Sequence, residues 1–255
     1  MIHLITMAGN SKRFLEHGFA HKALYMIDGK TCISRFIDSL PDFHDYQTLF
    51  VCRQFDLERT ALKEEIASNT KSNTEIIGIP TNEEGPIYSI SQVFDKIPDD
   101  QSVLITYVDL LQQTSLTELE ARFQAYDGGI TLHSFDNPHW RTNQSYCLVE
   151  HDQNLRTTRI EEKFDFSNFD FSQTNKAASN GSYYFKSGQL MKTYFEKTLT
   201  EGKSVNDEYY VTQALELMVK DSLHVEGFYC PYVSWGLPAD VDDYEFWLRW
   251  FKGCY

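Results

Sequence analysis

The feature that most constrains the fold is an apolar run at the N-terminus that stops at a turn of small residues. Residues 2–7 predict a short buried strand, and Ala8 and Gly9 follow it at once. A polar and cationic segment comes next: Asn10, Ser11, Lys12 and Arg13. Glycine lets a ligand approach the main chain closely, and basic side chains attract an anion. The turn therefore predicts a site for a bulky anion, to which Lys22 adds positive charge.

A purely structural interpretation of this turn stays open, because a strand followed by glycine is also a common start of an α/β domain. The segment lacks the phosphate-binding pattern G-x-x-x-x-G-K-[ST] and the dinucleotide pattern G-x-G-x-x-G. The turn alone thus indicates an anion without identifying it.

The charge of the chain limits its partners. The 255 residues include 37 acidic and 23 basic side chains, which gives a net charge of −14. Nucleic acids and anionic membranes require a basic surface, so we expect neither as a partner. The N-terminal apolar run is too short for a signal sequence or a membrane span, so we expect no membrane insertion.

The cysteines indicate a reducing compartment. The five of them are widely scattered and form no C-x-x-C pair. We therefore predict reduced thiols and a cytoplasmic protein.

Apolar runs alternate with helical patterns along the first half of the chain, which we define as residues 1–115. Strands are predicted at residues 2–7, 47–52, 75–79 and 102–108, and helices at residues 33–40, 57–66 and 86–97. This alternation favours a parallel sheet with right-handed crossovers, and ligands bind beyond the carboxyl ends of such strands. Gly9, the segment 81–85 and Asp109 all follow predicted strands, so we expect them at one edge.

The second half, residues 116–255, has a different pattern. Its predicted strands are residues 129–135, 182–185 and 224–230, with a hairpin of residues 146–150 and 155–163. Its predicted helices are residues 188–199, 207–219 and 240–251. Residues 164–179 lack periodicity and predict a loop over the site. We expect one domain over residues 1–255, with a second half that faces the substrate.

Six segments follow one another in the order of a known family. The first combines residues 8–14, 22–24 and 27–30, which are similar to A-G-x-G-x-R-[FM], P-K-x-L and x-x-G-K-P. The others are Asn82-Glu83-Glu84-Gly85-Pro86, Tyr107-Val108-Asp109, Ile160-Glu161-Glu162-Lys163, residues 180–185, similar to G-x-Y-x-F, and residues 235–240, similar to W-G-T-P-E-D. Together they resemble the sugar-phosphate nucleotidyltransferases of bacterial surface-polysaccharide pathways, over almost the whole chain.

The chain departs from the family pattern at several positions. Ser11 replaces the second glycine of the opening motif, and His21 replaces the proline before the motif lysine. Leu237 replaces a threonine. Many members have a second magnesium aspartate where this chain has Ser234, which leaves Asp240 as the candidate second ligand.

The resemblance implies an α/β fold: a single Rossmann-like, GT-A-type domain. Its mixed, mostly parallel sheet would be flanked by helices, with a β-hairpin in the substrate half. The first half would bind a nucleoside triphosphate and the second half the acceptor. The implied enzyme joins a nucleoside monophosphate to a phosphorylated sugar or small phospho-alcohol and releases pyrophosphate, for capsule or surface-glycan precursors. A homo-oligomer is also implied as a possibility.

The resemblance also implies roles for individual residues. Arg13 would neutralise the β- and γ-phosphates, Lys22 would bridge phosphates near the α-phosphorus, Asp109 would hold Mg²⁺, and Lys163 would hold the attacking phosphate. The implied nucleotide-binding residues are Ala8, Gly9, Asn10, Ser11, Lys12, Glu84, Gly85 and Tyr107. The implied acceptor-binding residues are Glu162, Gly181 and Asn206, and the implied metal ligands are Asp109 and Asp240.

Other interpretations remain open at this stage. Asp109 is compatible with a turn cap, Lys22 with a solvated loop residue, the pair Glu162-Lys163 with an exposed hairpin, and residues 206–208 with a helix N-cap. A glycosyltransferase would share the fold but usually carries D-x-D, whereas this chain has Asp109-Leu110-Leu111. A non-catalytic nucleotide-binding regulator is the third alternative.

Overall fold

The computed structural model describes residues 1–135 and 146–253. Its first half contains β1 Ile2–Thr6, α1 Lys12–Glu16, β2 Met26–Ile27, β3 Lys30–Thr31, α2 Cys32–Ser39, β4 Gln47–Arg53, α3 Gln54–Arg59, α4 Leu62–Asn69, β5 Thr74–Ile79, α5 Pro86–Ser91, β6 Val103–Thr106 and β7 Leu110–Gln112. Its second half contains α6 Leu116–Phe123, β8 Gly128–His133, β9 Leu148–His151, β10 Thr157–Glu161, β11 Lys176–Phe185, α7 Gly188–Glu201, α8 Val211–Lys220, β12 Val225–Tyr229, β13 Tyr232–Ser234 and α9 Pro238–Phe251.

Among the described residues, nine strands form one mixed sheet that runs through both halves. Its order is β10-β9-β11-β6-β1-β4-β5, and β8 and β12 extend it from β11. The strands β6, β1, β4 and β5 are parallel, whereas β11 runs antiparallel to β6, β8 and β9. The strands of the first half therefore end at one rim, as their alternation with helices predicts.

Alternate residues of the central strands pack on opposite faces of the sheet. Leu4 and Ile105 belong to one hydrophobic core, to which α5, α7 and α8 contribute. Ile5 and Leu104 belong to a second core, to which α2, α4 and α6 contribute. The predicted fold, a single α/β domain with a mixed sheet flanked by helices, is confirmed. The predicted hairpin is confirmed as β9 and β10.

The helix predicted at residues 57–66 is wrong, because two short helices replace it. Thr60 has an extended backbone between α3 and α4. Its hydroxyl donates to the Asp56 carbonyl at 2.7 Å and accepts from Leu62 N at 3.2 Å. A threonine side chain that satisfies neighbouring main-chain groups competes with helix continuation.

Other boundaries also differ from the prediction. The helix predicted at residues 86–97 ends at Ser91. The turn at residues 107–109 interrupts the predicted strand 102–108, and the chain then enters β7, which pairs with β13. The predicted loop 164–179 ends at residue 175, because its last four residues belong to β11. That strand is buried on both faces, so it lacks the alternation that identifies a half-exposed strand.

Cys254, one of the five cysteines, lies outside the described residues, and Cys32, Cys52, Cys147 and Cys230 are free and buried. In residues 1–135 and 146–253, none of the helices combines the length and the apolar character that crossing a membrane requires.

Candidate active site

A cavity of about 340 Å³ opens at the rim where β1 and β6 end, and both halves line it. The predicted site residues on its wall are Ala8, Gly9, Asn10, Arg13, Lys22, Gly85, Tyr107, Asp109, Glu162, Lys163 and Gly181. The predicted site residues that do not line it are Ser11, Lys12, Glu84, Asn206 and Asp240. The cavity thus brings together segments that lie far apart in the sequence.

The turn after β1 forms part of the cavity wall. Met7 N donates to the Val51 carbonyl at 2.8 Å, so the chain stays paired with β4 up to the turn. A Cβ built on Gly9 would meet nothing within 4 Å, which shows open space beside the main chain. Ser11 then adopts a left-handed backbone with φ of 51°, at a cost of about 1 kcal/mol for a residue other than glycine. The turn therefore leaves room for a ligand beside its backbone.

Lys22 and Asp109 form an ion pair on the cavity wall. Lys22 Nζ lies 2.8 Å from Asp109 Oδ2, and the two side chains are 20% and 19% exposed. The second half holds the main chain of Asp109, because Trp235 N donates to its carbonyl at 2.8 Å. The interpretation of Lys22 as a solvated loop lysine is therefore wrong.

Asp109 fits the requirements of a magnesium ligand. Within the described ranges 1–135 and 146–253, no group of three or more His, Cys, Asp or Glu side chains could hold a metal ion. Magnesium, however, commonly binds one or two carboxylates and takes its other ligands from substrate phosphates and water. A single carboxylate on the wall of the cavity is compatible with that coordination.

Asp240 is buried at the start of α9, with 1% exposure. Its Oδ2 accepts a hydrogen bond from Leu237 N at 3.1 Å and lies 3.5 Å from Ser234 Oγ, which lines the cavity. These contacts make Asp240 a cap of the helix. Its role as a metal ligand stays a prediction.

Glu162 and Lys163 reach the cavity from the end of the hairpin. The side chain of Glu162 is only 9% exposed, and its Oε2 accepts from Thr212 Oγ1 at 2.5 Å. Burial raises the pKa of Glu162, and the Thr212 hydrogen bond partly opposes that shift. Lys163 has a left-handed backbone, and its Nζ lies 5.1 Å from the centre of the Tyr210 ring. The interpretation of this pair as an exposed hairpin is therefore wrong.

The segment before α8 is a tight turn, whereas the sequence predicted a helix from residue 207. Asn206 and Asp207 both have left-handed backbones, and the helix begins at Val211. The interpretation of residues 206–208 as a helix N-cap is therefore wrong.

Two main-chain hydrogen bonds, which we call the Tyr209 bridge, join this turn to the first half. Tyr209 N donates to the Glu84 carbonyl at 2.8 Å, and Ile87 N donates to the Tyr209 carbonyl at 3.1 Å. Gly85 lies between them with φ of 90°, and a Cβ there would lie 2.7 Å from Tyr209 N. Only glycine therefore fits at this position.

A second glycine brings the sheet close to the cavity. Gly181 has φ of 99°, and a Cβ there would lie 2.7 Å from Leu110 Cδ2 and 3.4 Å from Tyr107 Cδ2. The bend of β11 at Gly181 therefore packs directly against the turn that carries Asp109.

Sequence reasoning missed several residues of the cavity wall, including Glu208, Tyr210, Tyr146 and Tyr232. The Tyr210 hydroxyl donates to Glu208, and the Tyr232 hydroxyl donates to Tyr146 Oη at 2.8 Å. Burial, followed by the hydrogen bond to Glu208, raises the pKa of Tyr210, so its hydroxyl stays protonated. The sequence analysis placed Tyr210 within the helix predicted from residue 207. It therefore gave no reason to expect Tyr210 on the cavity wall.

Sequence comparison relates the chain to one protein family. A family model described as nucleotidyl transferase matches residues 4–235. A search of curated proteins finds no match to the chain.

Solved structures share the fold at low sequence identity. The nucleoside-diphosphate-sugar pyrophosphorylase of Vibrio cholerae is 15% identical, with 96% of this chain and 100% of that chain covered and a TM-score of 0.76. The inositol-1-phosphate CTP transferase of T. maritima is 15% identical, with coverages of 97% and 96% and a TM-score of 0.70. The UTP-bound UGPase of Acinetobacter baumannii is 14% identical, with coverages of 97% and 92% and a TM-score of 0.69.

Proposed function

The chain belongs to the nucleotidyl transferase family, and from that premise we propose the reaction of this enzyme. It transfers a nucleoside monophosphate from a nucleoside triphosphate to a phosphorylated sugar or a small phospho-alcohol, and it releases pyrophosphate. One observation carries the proposal: Arg13, Lys22, Asp109 and Lys163 line the same cavity, although they come from both halves of the chain. The sugar pyrophosphorylase and the inositol-phosphate transferase among the structural relatives support this acceptor class.

The chemistry explains why the cavity needs cations. An oxygen of the acceptor phosphate forms a bond to the α-phosphorus, and the bond between that phosphorus and the pyrophosphate oxygen breaks. Both reactants are anions, so neutralising charge is the main task of the protein. No side chain acts as nucleophile, because the acceptor supplies the attacking oxygen.

Each cation has a separate task in this proposal. Arg13 neutralises the β- and γ-phosphates of the leaving pyrophosphate, and Lys22 bridges phosphates near the reacting phosphorus. Lys163 holds the acceptor phosphate against the repulsion of the triphosphate. A magnesium ion held by Asp109 would supply Lewis-acid stabilisation of the phosphate charge. The ion pair with Asp109 keeps the Lys22 ammonium at the cavity wall.

The main chain and the second half complete the proposed binding surfaces. Ala8, Gly9, Asn10, Gly85 and Tyr107 bind the nucleotide from the cavity wall, while Glu162 and Gly181 serve the acceptor. Ser11, Lys12, Glu84 and Asn206, which do not line the cavity, support these segments from behind the wall. Burial of Glu162 supports a role in accepting hydrogen bonds from acceptor hydroxyls, since a buried carboxylate requires donors.

The proposal also includes a cellular role. The product would be a precursor of capsule or surface glycans, made in the cytoplasm, where nucleoside triphosphates are available. A homo-oligomer is supported by α9, which exposes Phe246, Trp247, Trp250 and Phe251. Contiguous exposed aromatic side chains commonly mark protein contacts.

A panel assay tests the proposal. Each of four nucleoside triphosphates is combined with phosphorylated sugars and phospho-alcohols in magnesium buffer, and pyrophosphate release is measured against reactions that lack the acceptor. We expect acceptor-dependent release with at least one combination. Triphosphate binding without release from any pair would favour the regulatory alternative. In a parallel reaction supplied with a nucleotide-sugar, release of a nucleoside diphosphate would favour a glycosyltransferase.

A further inference from the structure

A buried ion pair lies next to the turn after β1 without lining the cavity. Arg53 is the last residue of β4, and Asp56 belongs to the first turn of α3. Arg53 Nε and Nη2 donate to the two carboxylate oxygens of Asp56 at 2.6 and 2.8 Å. The side chains are 9% and 2% exposed. Such two-bond geometry fixes the orientation of the guanidinium plane.

From this pair, hydrogen bonds run outward along the rim. Arg53 Nη1 donates to Asn10 Oδ1 at 3.0 Å, and Asn10 Nδ2 donates to Glu83 Oε1 at 2.9 Å. The amide of Asn10 is therefore held at both ends, by a donor on one side and an acceptor on the other. Since these three residues follow or end β4, β1 and β5, one chain of bonds connects three neighbouring strand ends.

Asp56 also approaches the segment that carries Lys22. Its Oδ2 lies 3.8 Å from Nε2 of His21, which is wholly buried. His21 Nδ1 accepts a hydrogen bond from Ala23 N at 3.1 Å, so the neutral ring carries its proton on Nε2, towards Asp56. Burial lowers the pKa of His21 to about 4, which keeps the ring neutral. The Asp56 carboxylate thus lies next to Arg53, which bonds to the turn after β1, and next to His21, which directly precedes Lys22.

Stability alone is a weak reason for this arrangement. A buried ion pair is often no more stable than an apolar pair of similar volume, because removing two charges from water offsets their attraction. The value of such a pair lies in its directional hydrogen bonds. Here a further hydrogen bond from Arg53 ends on Asn10, a residue of the cavity wall.

We propose that Arg53 and Asp56 are positioning residues for triphosphate binding, and that they act through Asn10. The pair holds the Asn10 amide and the turn after β1 in the conformation that receives the phosphates. The pair does not line the cavity. Because it supports Asn10 in the half that would bind the triphosphate, its loss should weaken triphosphate binding and leave acceptor binding unchanged. This inference rests on the proposed function, which supplies the triphosphate.

The first experiment removes the pair without leaving a buried charge. In the double variant Arg53→Met/Asp56→Leu, we expect the dissociation constant for the preferred triphosphate, measured by calorimetry, to rise about 10-fold, while the unfolding temperature changes by a few degrees at most. The matched control is Lys192→Met/Asp99→Leu, which removes an ion pair of 2.7 Å outside the cavity wall and should leave triphosphate affinity unchanged. Equal affinity in the wild type and the Arg53/Asp56 variant would overturn the inference.

A second variant keeps the test decisive if the apolar pair does not fold. Arg53→Lys preserves the charge, but an ammonium cannot reproduce the planar fork between Asp56 and Asn10. We expect weaker triphosphate binding with an unchanged acceptor KM. An unchanged triphosphate affinity, or an equal loss for both substrates, would contradict a positioning role.

A double-mutant cycle with Asn10→Ala tests the route of action. If Arg53 acts through Asn10, Arg53→Lys should weaken binding much less in the Asn10→Ala background than in the wild type. Additive losses would show that Arg53 acts independently, which would refute the route through Asn10. Wild-type protein that binds no triphosphate at all would instead overturn the proposed function, and this inference with it.

Discussion

The two halves of the molecule build the cavity by different means. In the first half, parallel strands end at one rim, where short turns place Gly9 and Asp109 and α1 places Arg13. In the second half, two of the cavity residues lie where regular structure is interrupted, at Gly181 and Lys163. Gly181 lies at an irregularity of the pairing between β11 and β8, and Lys163 has a left-handed backbone after β10.

This difference shows two ways of gathering a site. Topology alone collects residues at the end of a parallel sheet, so their positions follow from the order of elements. An antiparallel region collects residues only through local departures from its ladder, such as bulges and positive φ values. If the proposed reaction is correct, the first half should control triphosphate binding and the second half acceptor binding.

The largest effect should come from Asp109, which contacts both halves. Asp109→Asn keeps the size of the side chain but removes its charge, and with it the predicted magnesium ligand and the ionic partner of Lys22. We expect turnover at saturating substrates to fall about 100-fold, as loss of a central electrostatic group commonly causes. The assay is pyrophosphate release in metal-buffered solution. Full activity of the variant would exclude a metal role for Asp109.

Lys163 tests the assignment of the second half. Lys163→Met keeps most of the apolar stem and removes the ammonium that lies over Tyr210. We expect the acceptor KM to rise about 30-fold and kcat to fall, because a charged hydrogen bond contributes about 2 kcal/mol. Triphosphate affinity should change little. A variant that lost triphosphate binding and kept its acceptor KM would show that the two halves are assigned the wrong way round.

Arg13 tests the assignment of triphosphate binding to the first half. Arg13→Ala should raise the dissociation constant of the triphosphate about 10-fold in calorimetry with magnesium, because one exposed phosphate contact is lost. Acceptor affinity should stay the same. Arg59→Ala, an equal charge change on the exposed face of α3, is the control that should leave both affinities unchanged. Unchanged triphosphate affinity in the Arg13 variant would point to a structural role.

The smallest effect concerns acid stability, to which His3 of the first half should contribute. His3 is wholly buried in β1, with Nε2 2.8 Å from Thr106 Oγ1, and burial lowers its pKa to about 3. The unfolded chain binds a proton near pH 6.5 and the folded protein does not, so stability is lost as the pH falls from 6.5 towards 3. Between pH 7.5 and 6, His3 should account for a loss of about 0.8 kcal/mol.

Urea titrations of the wild type and His3→Gln at the two pH values measure this loss. The variant should lose less stability than the wild type between pH 7.5 and 6. His17→Gln, which replaces an exposed histidine, should behave like the wild type. An identical loss in all three proteins would show that the acid sensitivity arises elsewhere.

The sequence predicted most of the first half, because its signals are local. The strands before Gly9 and Asp109 are both present in the structure. In the second half, the hairpin before Lys163 is present as well. Arg53 could have been found by the same reasoning, since it ends β4 at the same rim. Its bond to Asn10 depends on the pairing of β4 with β1, which no local pattern around Arg53 reveals.

Other parts of the structure could not be predicted from local patterns. The strands β7 and β13 have three residues each, and their pairing depends on segments that are far apart in the chain. The early part of β11 lacks alternation because both of its faces are buried. Asp240 resembled a motif carboxylate, but only the packing of α9 reveals its capping bond with Leu237.

The Tyr209 bridge has a consequence for how such an enzyme can be divided. The main chain of Tyr209 fixes the segment around Gly85 through two hydrogen bonds. Because only backbone atoms take part, these bonds do not depend on the side chain at position 209. A fragment that ends at residue 115 would lose this support as well as the β11 edge of the sheet. The two halves are therefore not interchangeable units, and grafting a foreign second half would also reshape the segment proposed to bind the nucleotide.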